Sequence, residues 1–366
     1  MQRILHVIGS LNNGGSQVVV MNLFQNMDLT KLQFDFIIDR PTELFYADEV
    51  RRLGGKIYVL PTFKFRNIFC YKKEWSNFFK NHPEYKIIHG HVRSTAVIYL
   101  GIARKFGLTT IVHSHSTTSG RGIKALIKNL LQYPLRYHVD YLFACSRMAG
   151  EWLYGKKACK KDNFMIINNA IDFDKFIFNE NIRLKLRSSL HLEGKFIIGH
   201  VGRFHIAKNH TYLLDIFAEI RKLRENAVLI LIGDGLLRKE IEEKIDSLNL
   251  KDSVYLMGYR SDIAKFMQAM DVFVFPSIWE GVPVSVIEAQ AAGLPCYISD
   301  AITKEVCITP YLKQLPLSIS ASIWAEQIVN TVSVNREEGY KYIKDSNYDA
   351  KVTADKMAKF YEGLER

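Results

Sequence analysis

The feature that most constrains the fold is an alternation of short apolar runs with helix-like stretches, which occurs twice along the chain. The runs are rich in Ile, Val, Phe and Tyr, and several are apolar at consecutive positions, as in strands buried on both faces of a parallel sheet. The first half therefore predicts a doubly wound α/β sheet. Its predicted strands are Arg3–Ile8, Phe34–Asp39, Lys56–Leu60, Lys86–His89, Thr110–His113 and Tyr141–Ala144, and its predicted helices include Gln17–Met27 and Thr95–Phe106.

The same pattern starts again in the second half. The sequence thus predicts two Rossmann-like, doubly wound domains, residues 1–175 and 176–349, facing each other across a cleft where ligands bind. A linker is expected near Asn168–Leu190, and the amphipathic tail 350–366 is expected to pack back on the first domain as a helix. The predicted strands of this half are Phe196–Val201, Val228–Ile232, Val254–Met257, Val272–Phe275 and Cys296–Ile298, with helices over Thr211–Glu225, Leu237–Leu248 and Val284–Ala292.

Two glutamates follow the predicted strand Val272–Phe275. Glu280 comes just before a helix that Gly281 and Pro283 introduce, and Glu288 lies inside that helix. A helix N-terminus favours a phosphate, and a carboxylate beside it needs hydrogen-bond donors such as sugar or ribose hydroxyls. The residues alone leave open that the two glutamates are a helix cap and a solvated helix residue.

Two cations follow the strand Phe196–Val201. Gly202 allows close backbone approach at the strand end, and Arg203 and Lys208 come soon after it. A guanidinium can bind a diphosphate through two hydrogen bonds, and an ammonium adds a point charge. A phosphate site is one interpretation of this loop, and two ordinary loop cations are the other.

The first predicted strand is followed by Gly14 and Gly15. Their loop either binds a phosphate or a sugar or is simply a flexible connection. It does not match the G-x-G-x-x-G fingerprint, so a nicotinamide enzyme is disfavoured.

Two histidine pairs, His89 with His91 and His113 with His115, follow predicted strands of the first half. An H-x-H pair can bind a metal when further ligands converge on it. The sequence shows no such convergence, and we predict no metal site.

Together these segments resemble the retaining glycosyltransferases of family 4, also called group 1, and most of all their bacterial capsule and exopolysaccharide members. The resemblance covers nearly the whole chain and implies the two-domain GT-B fold, in which domain 1–175 would bind the acceptor and domain 176–349 the nucleotide-sugar donor. It rests first on the E-x7-E pattern of Glu280 and Glu288 and on the element from Gly202 to Asn209. It rests further on the segments Gly233–Gly235, Gly258–Asp262, Ala144–Ser146 and Ile167–Phe176.

The resemblance implies a role for each matching residue of a nucleotide-sugar site. Arg203 and Lys208 would neutralise the leaving diphosphate, Glu288 would bind the ribose hydroxyls, and Glu280 would hold hydroxyls of the donor sugar. The segment 258–260 would line the base pocket through its backbone. Further donor contacts are implied for Gly14, Gly15, Gly202, Gly258, Tyr259, Arg260, Gly281 and Val282.

The family also has a histidine in its first domain, which the resemblance counts among the catalytic residues with Arg203, Lys208 and Glu280. It corresponds best to His115, and His113 is the alternative because a slip of two residues exchanges them. Where many members carry an acidic residue after the paired glycines, this chain has Ser16 and Gln17. That departure puts the acceptor-side contacts in question and leaves the donor site unaffected.

The implied reaction is a retaining transfer of a hexose or an N-acetylhexosamine from a nucleotide sugar, with a UDP-sugar expected. The implied acceptor is a glycan or a polyprenyl-diphosphate-linked glycan in surface polysaccharide synthesis. No metal and no other cofactor is expected, because Arg203 and Lys208 would take the place of a metal. Two alternatives stay open: a nucleotide-sugar 2-epimerase of the same fold, and a non-catalytic scaffold or nucleic-acid-binding protein.

Charge bears on the partners. The formal net charge of the chain is +11, and residues 1–175 hold 25 Lys and Arg against 13 Asp and Glu. A one-sided basic surface attracts polyanions, but no zinc-finger spacing or RNA-binding motif is present, so no nucleic-acid partner is expected. The expected location is cytoplasmic, at the inner face of the membrane. The basic amphipathic segments Phe63–Lys73 and Arg121–Arg136 would dock there, unless the apolar stripe of the second packs on the sheet.

Overall fold

The computed structural model divides the chain into two compact units. The first unit comprises residues 1–170 together with 350–366, and the second comprises residues 171–349. The boundary thus lies at Ala170 rather than at the predicted residue 175, and the C-terminal segment belongs to the first unit. The structure describes residues 1–12, 14–41, 44–116, 119–120, 122–344 and 346–364.

The first unit is built on a parallel sheet of seven strands in the order β3-β2-β1-β4-β5-β6-β7. The strand order reverses between β1 and β4, which makes that place the switch point of the sheet. Its strands are β1 (Gln2–Val7), β2 (Leu32–Ile38), β3 (Ile57–Val59), β4 (Ile87–Gly90), β5 (Thr109–Ser114), β6 (Tyr141–Ala144) and β7 (Phe164–Ile166). Its helices are α1 (Gly15–Gln25), α2 (Ala47–Arg52), α3 (Ile68–Asn81), α4 (Ala96–Lys105), α5 (Ile123–Gln132), α6 (Leu135–His138), α7 (Arg147–Tyr154) and, at the end of the chain, α15 (Ala350–Gly363).

Helix α15 packs on the core of the first unit. Its residues Ala354, Met357 and Tyr361 are buried in the same apolar cluster as Phe34 and Phe36 of β2. The apolar positions of α15 recur at helical spacing and therefore form one face, which this cluster covers.

The second unit repeats the architecture with six parallel strands in the order β10-β9-β8-β11-β12-β13. Here the order reverses between β8 and β11. The strands are β8 (Phe196–Val201), β9 (Ala227–Ile232), β10 (Val254–Leu256), β11 (Val272–Phe275), β12 (Cys296–Ser299) and β13 (Leu312–Leu315). The helices are α8 (Glu180–Ser189), α9 (His210–Leu223), α10 (Arg238–Ser247), α11 (Ile263–Ala269), α12 (Val284–Ala291), α13 (Ala321–Val329) and α14 (Gly339–Lys344).

The structure also corrects the predicted linker and the predicted set of strands. The expected linker near Asn168–Leu190 is wrong in its second part, because α8 is an integral helix of the second unit. Its Arg183 and Arg187 both pair with Asp271, at 2.5 and 2.7 Å, just before β11. The strands β7 and β13 were not predicted. Both lie at sheet edges, where partial burial weakens the apolar signal on which the prediction depends.

Among the described residues, no helix is both long enough and apolar enough to cross a bilayer.

Candidate functional site

Two neighbouring loops at the switch point of the second sheet carry most of the predicted donor residues. One follows β8 and contains a 3-10 helix, Ile206–Lys208, and the other follows β11. The loops are joined directly, because the Ile278 amide donates to the Ala207 carbonyl at 2.8 Å. Asn209 adopts a left-handed backbone with φ of 56° and donates from its amide side chain to the Pro276 carbonyl at 3.1 Å.

Lys208 and Glu280 meet across these loops. The Nζ of Lys208 lies 2.7 Å from the Oε1 of Glu280, and both side chains are largely buried, with 18% and 15% exposure. The same ammonium lies 4.6 Å from the centre of the Phe275 ring. A partly desolvated ammonium that is held in place in this way is suited to stabilising negative charge that develops on a ligand.

Glu288 lies on α12 and is only 8% exposed. Burial raises the pKa of its carboxyl to about 7. A buried carboxylate is stable only when it receives hydrogen bonds. Vicinal hydroxyls, such as those of a ribose, are donors of the required kind.

Glycines bring the backbone of three segments close together beside this site. A Cβ at Gly233, where φ is +135°, would collide with the carbonyl of Gly202. The Gly233 amide in turn donates to the Gly258 carbonyl at 2.8 Å. Only glycine combines that close approach with that backbone conformation.

The segment after β10 exposes its backbone. Gly258 has a φ of +63°, and the exposed Tyr259 donates its hydroxyl to the Asp234 carbonyl at 3.2 Å. The Arg260 guanidinium makes two hydrogen bonds of 2.8 Å to Asp262. That carboxylate holds the Arg260 side chain, which agrees with a contact through the backbone of this segment.

The remaining predicted residues of the second unit differ in their exposure. Gly281 and Val282 are buried just before α12, whereas the side chain of Arg203 is exposed. The second unit therefore brings Gly202, Lys208 and Glu280 together at one switch point. Glu288 follows on α12, and the side chain of Arg203 is exposed to solvent.

In the first unit, Gly14 and Gly15 lie at the start of α1. Gly14 is its N-cap with extended backbone, and a Cβ there would meet the side chain of Gln17. Gln17, which stands where relatives of the predicted family carry an acid, is buried and donates to the Ser10 carbonyl at 3.2 Å. This glutamine therefore holds the loop after β1.

A cluster of five histidines lies at the carboxyl ends of β1, β4 and β5. His6 is in register with His89 on the neighbouring strand. The Nδ1 of His6 lies 3.0 Å from the Nε2 of His91, and the Nδ1 of His91 lies 2.8 Å from the Nε2 of His115. Three imidazoles thus form a hydrogen-bonded chain. The stacked rings of His89 and His113 complete the cluster.

Burial keeps these imidazoles uncharged. It lowers the pKa of His6 to about 3 and that of His115 to about 4, where Arg93 adds repulsion and Asn169 opposes it by a hydrogen bond. The pKa values of His89, His91 and His113 are also lowered well below the ordinary value, by burial and by mutual repulsion.

The two candidates for the first-domain histidine differ in access. His113 lies within β5 and is 1% exposed, whereas His115 follows the strand and is partly exposed. Access favours His115 for contact with a substrate.

Two trios of this cluster, His6–His89–His91 and His91–His113–His115, each bring one ring nitrogen per residue within 4.8 Å of the others. The rings of His113 and His115, however, stack at 4.1 Å with an angle of 22° between planes. Lone pairs lie in the ring plane, so stacked rings do not converge on one ion as tetrahedral ligation requires. This stacking disfavours ligation of a single ion by both His113 and His115 of the second trio.

Sequence reasoning missed His6, Arg40 and Arg93 as site residues. Arg40 follows β2 and Arg93 follows β4, so both come at a strand end, as His6 nearly does in β1. The strands β1, β2 and β4 are neighbours in the sheet, so the residues at their carboxyl ends lie close together. These residues are far apart in the sequence, and only the strand order of a doubly wound sheet could have indicated that they meet.

Comparison with known proteins identifies the family. Residues 13–175 match the family described as "Glycosyltransferase Family 4", and residues 181–311 match the family described as "Glycosyl transferases group 1". The chain belongs to the group 1 glycosyltransferases. It is 33% identical over 370 residues to a putative glycosyltransferase, EpsF, of Bacillus subtilis, and this match covers 98% of this chain and 96% of the relative. Membership of this family makes the switch-point residues of the second unit candidates for a nucleotide-sugar site.

Two other relatives have more specific descriptions. A UDP-Gal:α-D-GlcNAc-diphosphoundecaprenol α-1,3-galactosyltransferase of Escherichia coli is 30% identical over 232 residues, covering 59% of this chain and 58% of that one. The capsular polysaccharide biosynthesis glycosyltransferase CapH of Staphylococcus aureus is 23% identical over 99% of each chain.

The fold is that of solved GT-B enzymes. Anabaena HepE, solved in complex with UDP and glucose, superposes with a TM-score of 0.81 at 18% identity, over 99% of this glycosyltransferase and 100% of HepE.

Proposed function

We propose that this glycosyltransferase moves a hexose or an N-acetylhexosamine from a UDP-sugar, with retention, to a glycan or a polyprenyl-diphosphate-linked glycan in surface polysaccharide synthesis. The observation that carries the donor half of this proposal is the Lys208–Glu280 contact of 2.7 Å, and the burial of Glu288 on the helix α12 that follows adds to it. The name of the Escherichia coli relative supports a UDP-sugar donor and a lipid-linked acceptor, and the HepE complex with UDP also supports the donor. The name of CapH supports a role in capsular polysaccharide synthesis.

In this proposal each donor group has a distinct partner. Lys208 and Arg203 neutralise the diphosphate, Glu280 accepts hydrogen bonds from sugar hydroxyls, and Glu288 accepts them from the ribose. Backbone amides of Gly281 and Val282 lie beside the sugar and phosphate. The backbone of 258–260 lines the base, and the Gly14-Gly15 loop closes against phosphate and acceptor. His115 contacts the substrates from the first unit.

The transfer breaks the bond between the anomeric carbon and the diphosphate oxygen and forms a bond from that carbon to an acceptor hydroxyl oxygen on the same face. The acceptor proton goes to the departing phosphate. Negative charge grows on that phosphate, where Lys208 and Arg203 stabilise it. Because these two cations supply the countercharge, we propose that donor turnover needs no metal ion.

Membrane contact is part of the proposal. Helix α5 exposes its apolar residues, with 77% exposure for Ile123, 60% for Leu126 and 67% for Leu130. In the other predicted segment, Phe63–Lys73, Phe65 and Phe69 are 64% and 86% exposed. Exposed apolar side chains among basic ones favour an anionic lipid surface. Arg121, which begins the α5 segment, lies outside the described residues.

A thermal-shift panel of UDP, GDP, ADP and their sugars, with Mg²⁺ and with EDTA, tests the donor site. Ligand at ~100 Kd stabilises a protein by ~2.7 kcal/mol. We expect a shift with uridine nucleotides alone, unchanged by EDTA and lost in Glu288→Ala. The matched control Glu326→Ala removes an exposed glutamate of α13 and should keep the shift. If none of the nucleotides shifts the melting temperature, the proposal is contradicted.

The product decides the reaction. NMR of the new anomeric linkage should show the configuration of the donor, and inversion would refute retention. Conversion of the donor sugar to its 2-epimer in the absence of acceptor would instead establish the epimerase.

A further inference from the structure

The first unit contains a cavity of about 480 Å³ at the carboxyl ends of β1, β2 and β4. Gly9, Arg40 and Arg93 line it from the strand ends, and Lys128 and Gln132 line it from α5. The volume suits a diphosphate with a sugar residue attached. Sequence reasoning placed none of these five residues in a substrate site, although Lys128 and Gln132 belong to the segment Arg121–Arg136 that was predicted to dock at the membrane.

The charge of this cavity is positive. Among its described lining residues, Arg40, Arg93 and Lys128 face a single carboxylate, Asp39, which lies 3.7 Å from the Arg40 guanidinium. Hydroxyl groups of Ser16, Ser94 and Ser119 also line the cavity. Guanidinium, ammonium and hydroxyl groups around one concave space form the donor set that phosphate oxygens accept from.

Arg93 is the deepest of the three cations. Its guanidinium donates to the Ser116 carbonyl at 3.2 Å and lies 5.0 Å from the centre of the Trp152 ring, so its position is fixed. Burial lowers its pKa from the ordinary value. A fixed, partly desolvated cation inside a cavity attracts an anion more strongly than a surface lysine does.

The lack of a side chain at Gly9 allows the Arg40 side chain to take its position. The backbone amide of Arg40 donates to the Gly9 carbonyl at 3.0 Å, and a Cβ at position 9 would collide with its guanidinium. The end of β1 therefore leaves room for this side chain to lie across it, at the mouth of the cavity.

Helix α5 lines the cavity with some of its residues and exposes apolar side chains with others. Lys128 and Gln132 line the cavity, whereas Ile123, Leu126 and Leu130 of the same helix are exposed to solvent. An occupant with an anionic head and an apolar tail would satisfy both faces at once. Free phosphate would leave the apolar face unused.

We propose that this cavity binds the diphosphate of a prenyl-diphosphate-linked acceptor, and that Arg40, Arg93 and Lys128 select for it. The inference rests on the proposed function, in which Lys208 and Arg203 of the second unit hold the diphosphate of the donor. The two diphosphates then have separate sites, and acceptors that lack a phosphate are poorer substrates.

Calorimetric titration of the full chain, saturated with UDP, with farnesyl diphosphate tests the proposal. We expect binding that weakens as salt is raised, competition by inorganic pyrophosphate and no binding of farnesol. Arg40→Gln and Lys128→Gln should each weaken binding about 10- to 100-fold, as loss of one charged hydrogen bond does. Both residues are exposed, and the thermal midpoints of the variants will verify that they fold.

Matched controls are Arg51→Gln on α2 and Lys80→Gln on α3, which remove exposed cations of the same unit and should leave the affinity unchanged. Absence of binding to the UDP-saturated chain, or equal losses of affinity in the controls, would each overturn the proposal. The assay needs no turnover. Failure of the proposed function, seen as absence of sugar transfer to any acceptor, is therefore separable from failure of this inference.

Discussion

In the first unit, imidazole side chains lie at the carboxyl ends of the central strands. In the second unit, an ammonium and two carboxyl groups follow the central strands. In both units these groups lie at the switch point of a doubly wound sheet, β1 with β4 in one and β8 with β11 in the other. His6 and His91 meet at the first, and Lys208 and Glu280 meet at the second. The topology fixes where a site forms, and the residues at that place decide its chemistry.

The two sites also differ in how burial acts on charge. Burial of bases in the first unit lowers their pKa values, and burial of Glu288 in the second raises its pKa to about 7. The second unit also contains two buried histidines, His200 and His210, whose pKa values burial lowers to about 3 and 2. The contrast between the units therefore depends on Glu288 and on the Lys208–Glu280 pair.

The largest effect is expected at Lys208. Lys208→Ala removes the ammonium that stabilises the leaving phosphate and leaves Glu280 without its 2.7 Å partner. We expect kcat/KM to fall ~10²–10³-fold, as for other preorganised charge contacts, in an assay of sugar release from the donor. The control Lys222→Ala removes an exposed lysine of α9 and should keep full activity. A fall below tenfold would show that the second switch point is not the donor site.

The next effect concerns the acidity of Glu288. A carboxyl whose pKa is raised in the folded protein binds more protons when folded. Its contribution to stability is therefore fully present below pH 4.5 and is lost as the pH rises to about 7. Glu288→Gln removes this dependence. Relative to the wild type, its free energy of unfolding should rise by about 3 kcal/mol between pH 4.5 and pH 8.

Urea denaturation at a series of pH values measures this difference, and Glu326→Gln serves as the exposed control. A constant difference between wild type and Glu288→Gln across the range would mean that folding does not raise the pKa of Glu288. UDP binding near pH 6 should release protons, because ribose hydroxyls favour the charged carboxylate.

The histidines of the first unit predict the opposite sign. A histidine whose pKa falls to about 3 binds fewer protons when folded, so its stability contribution is present above pH 6.5 and is lost as the pH falls. His6→Phe, between the rings of Phe34 and Phe36, should therefore lose less stability in acid than the wild type, by about 1.4 kcal/mol per pH unit below pH 6.5. Urea denaturation measures it, with the exposed His138→Gln as control. Equal slopes for His6→Phe and wild type would exclude a buried neutral His6.

The smallest effect on stability is expected on α5. Leu126 and Leu130 are exposed, so replacing both with Ser should change the free energy of unfolding by no more than ~0.5 kcal/mol. The same variant should lose flotation with anionic vesicles, which the wild type should show in a salt-sensitive manner. The control Leu184→Ser removes an exposed leucine of α8 in the second unit. Equal flotation of all three proteins would contradict membrane contact through α5.

Much of the fold followed from sequence because most strands are buried on both faces and therefore read as continuous apolar runs. The predicted strands Tyr141–Ala144, Phe196–Val201 and Val272–Phe275 have the bounds that the structure shows. Among the elements that were not predicted, the edge strands β7 and β13 and the helix α8 are only partly buried, which leaves a mixed pattern of polar and apolar residues in each.

The sequence by itself determined the α/β class, the two series of strands and, through motif spacing, the glycosyltransferase family. Local composition and short-range spacing carry all of that information. Only the tertiary structure decided which distant groups meet: His6 with His91, Lys208 with Glu280, and Arg40 with Arg93 and Lys128 around one cavity. It also decided that Glu288 is buried and that the stripe of α5 is exposed. Burial and adjacency depend on strand order and packing, and no local pattern in the chain records them.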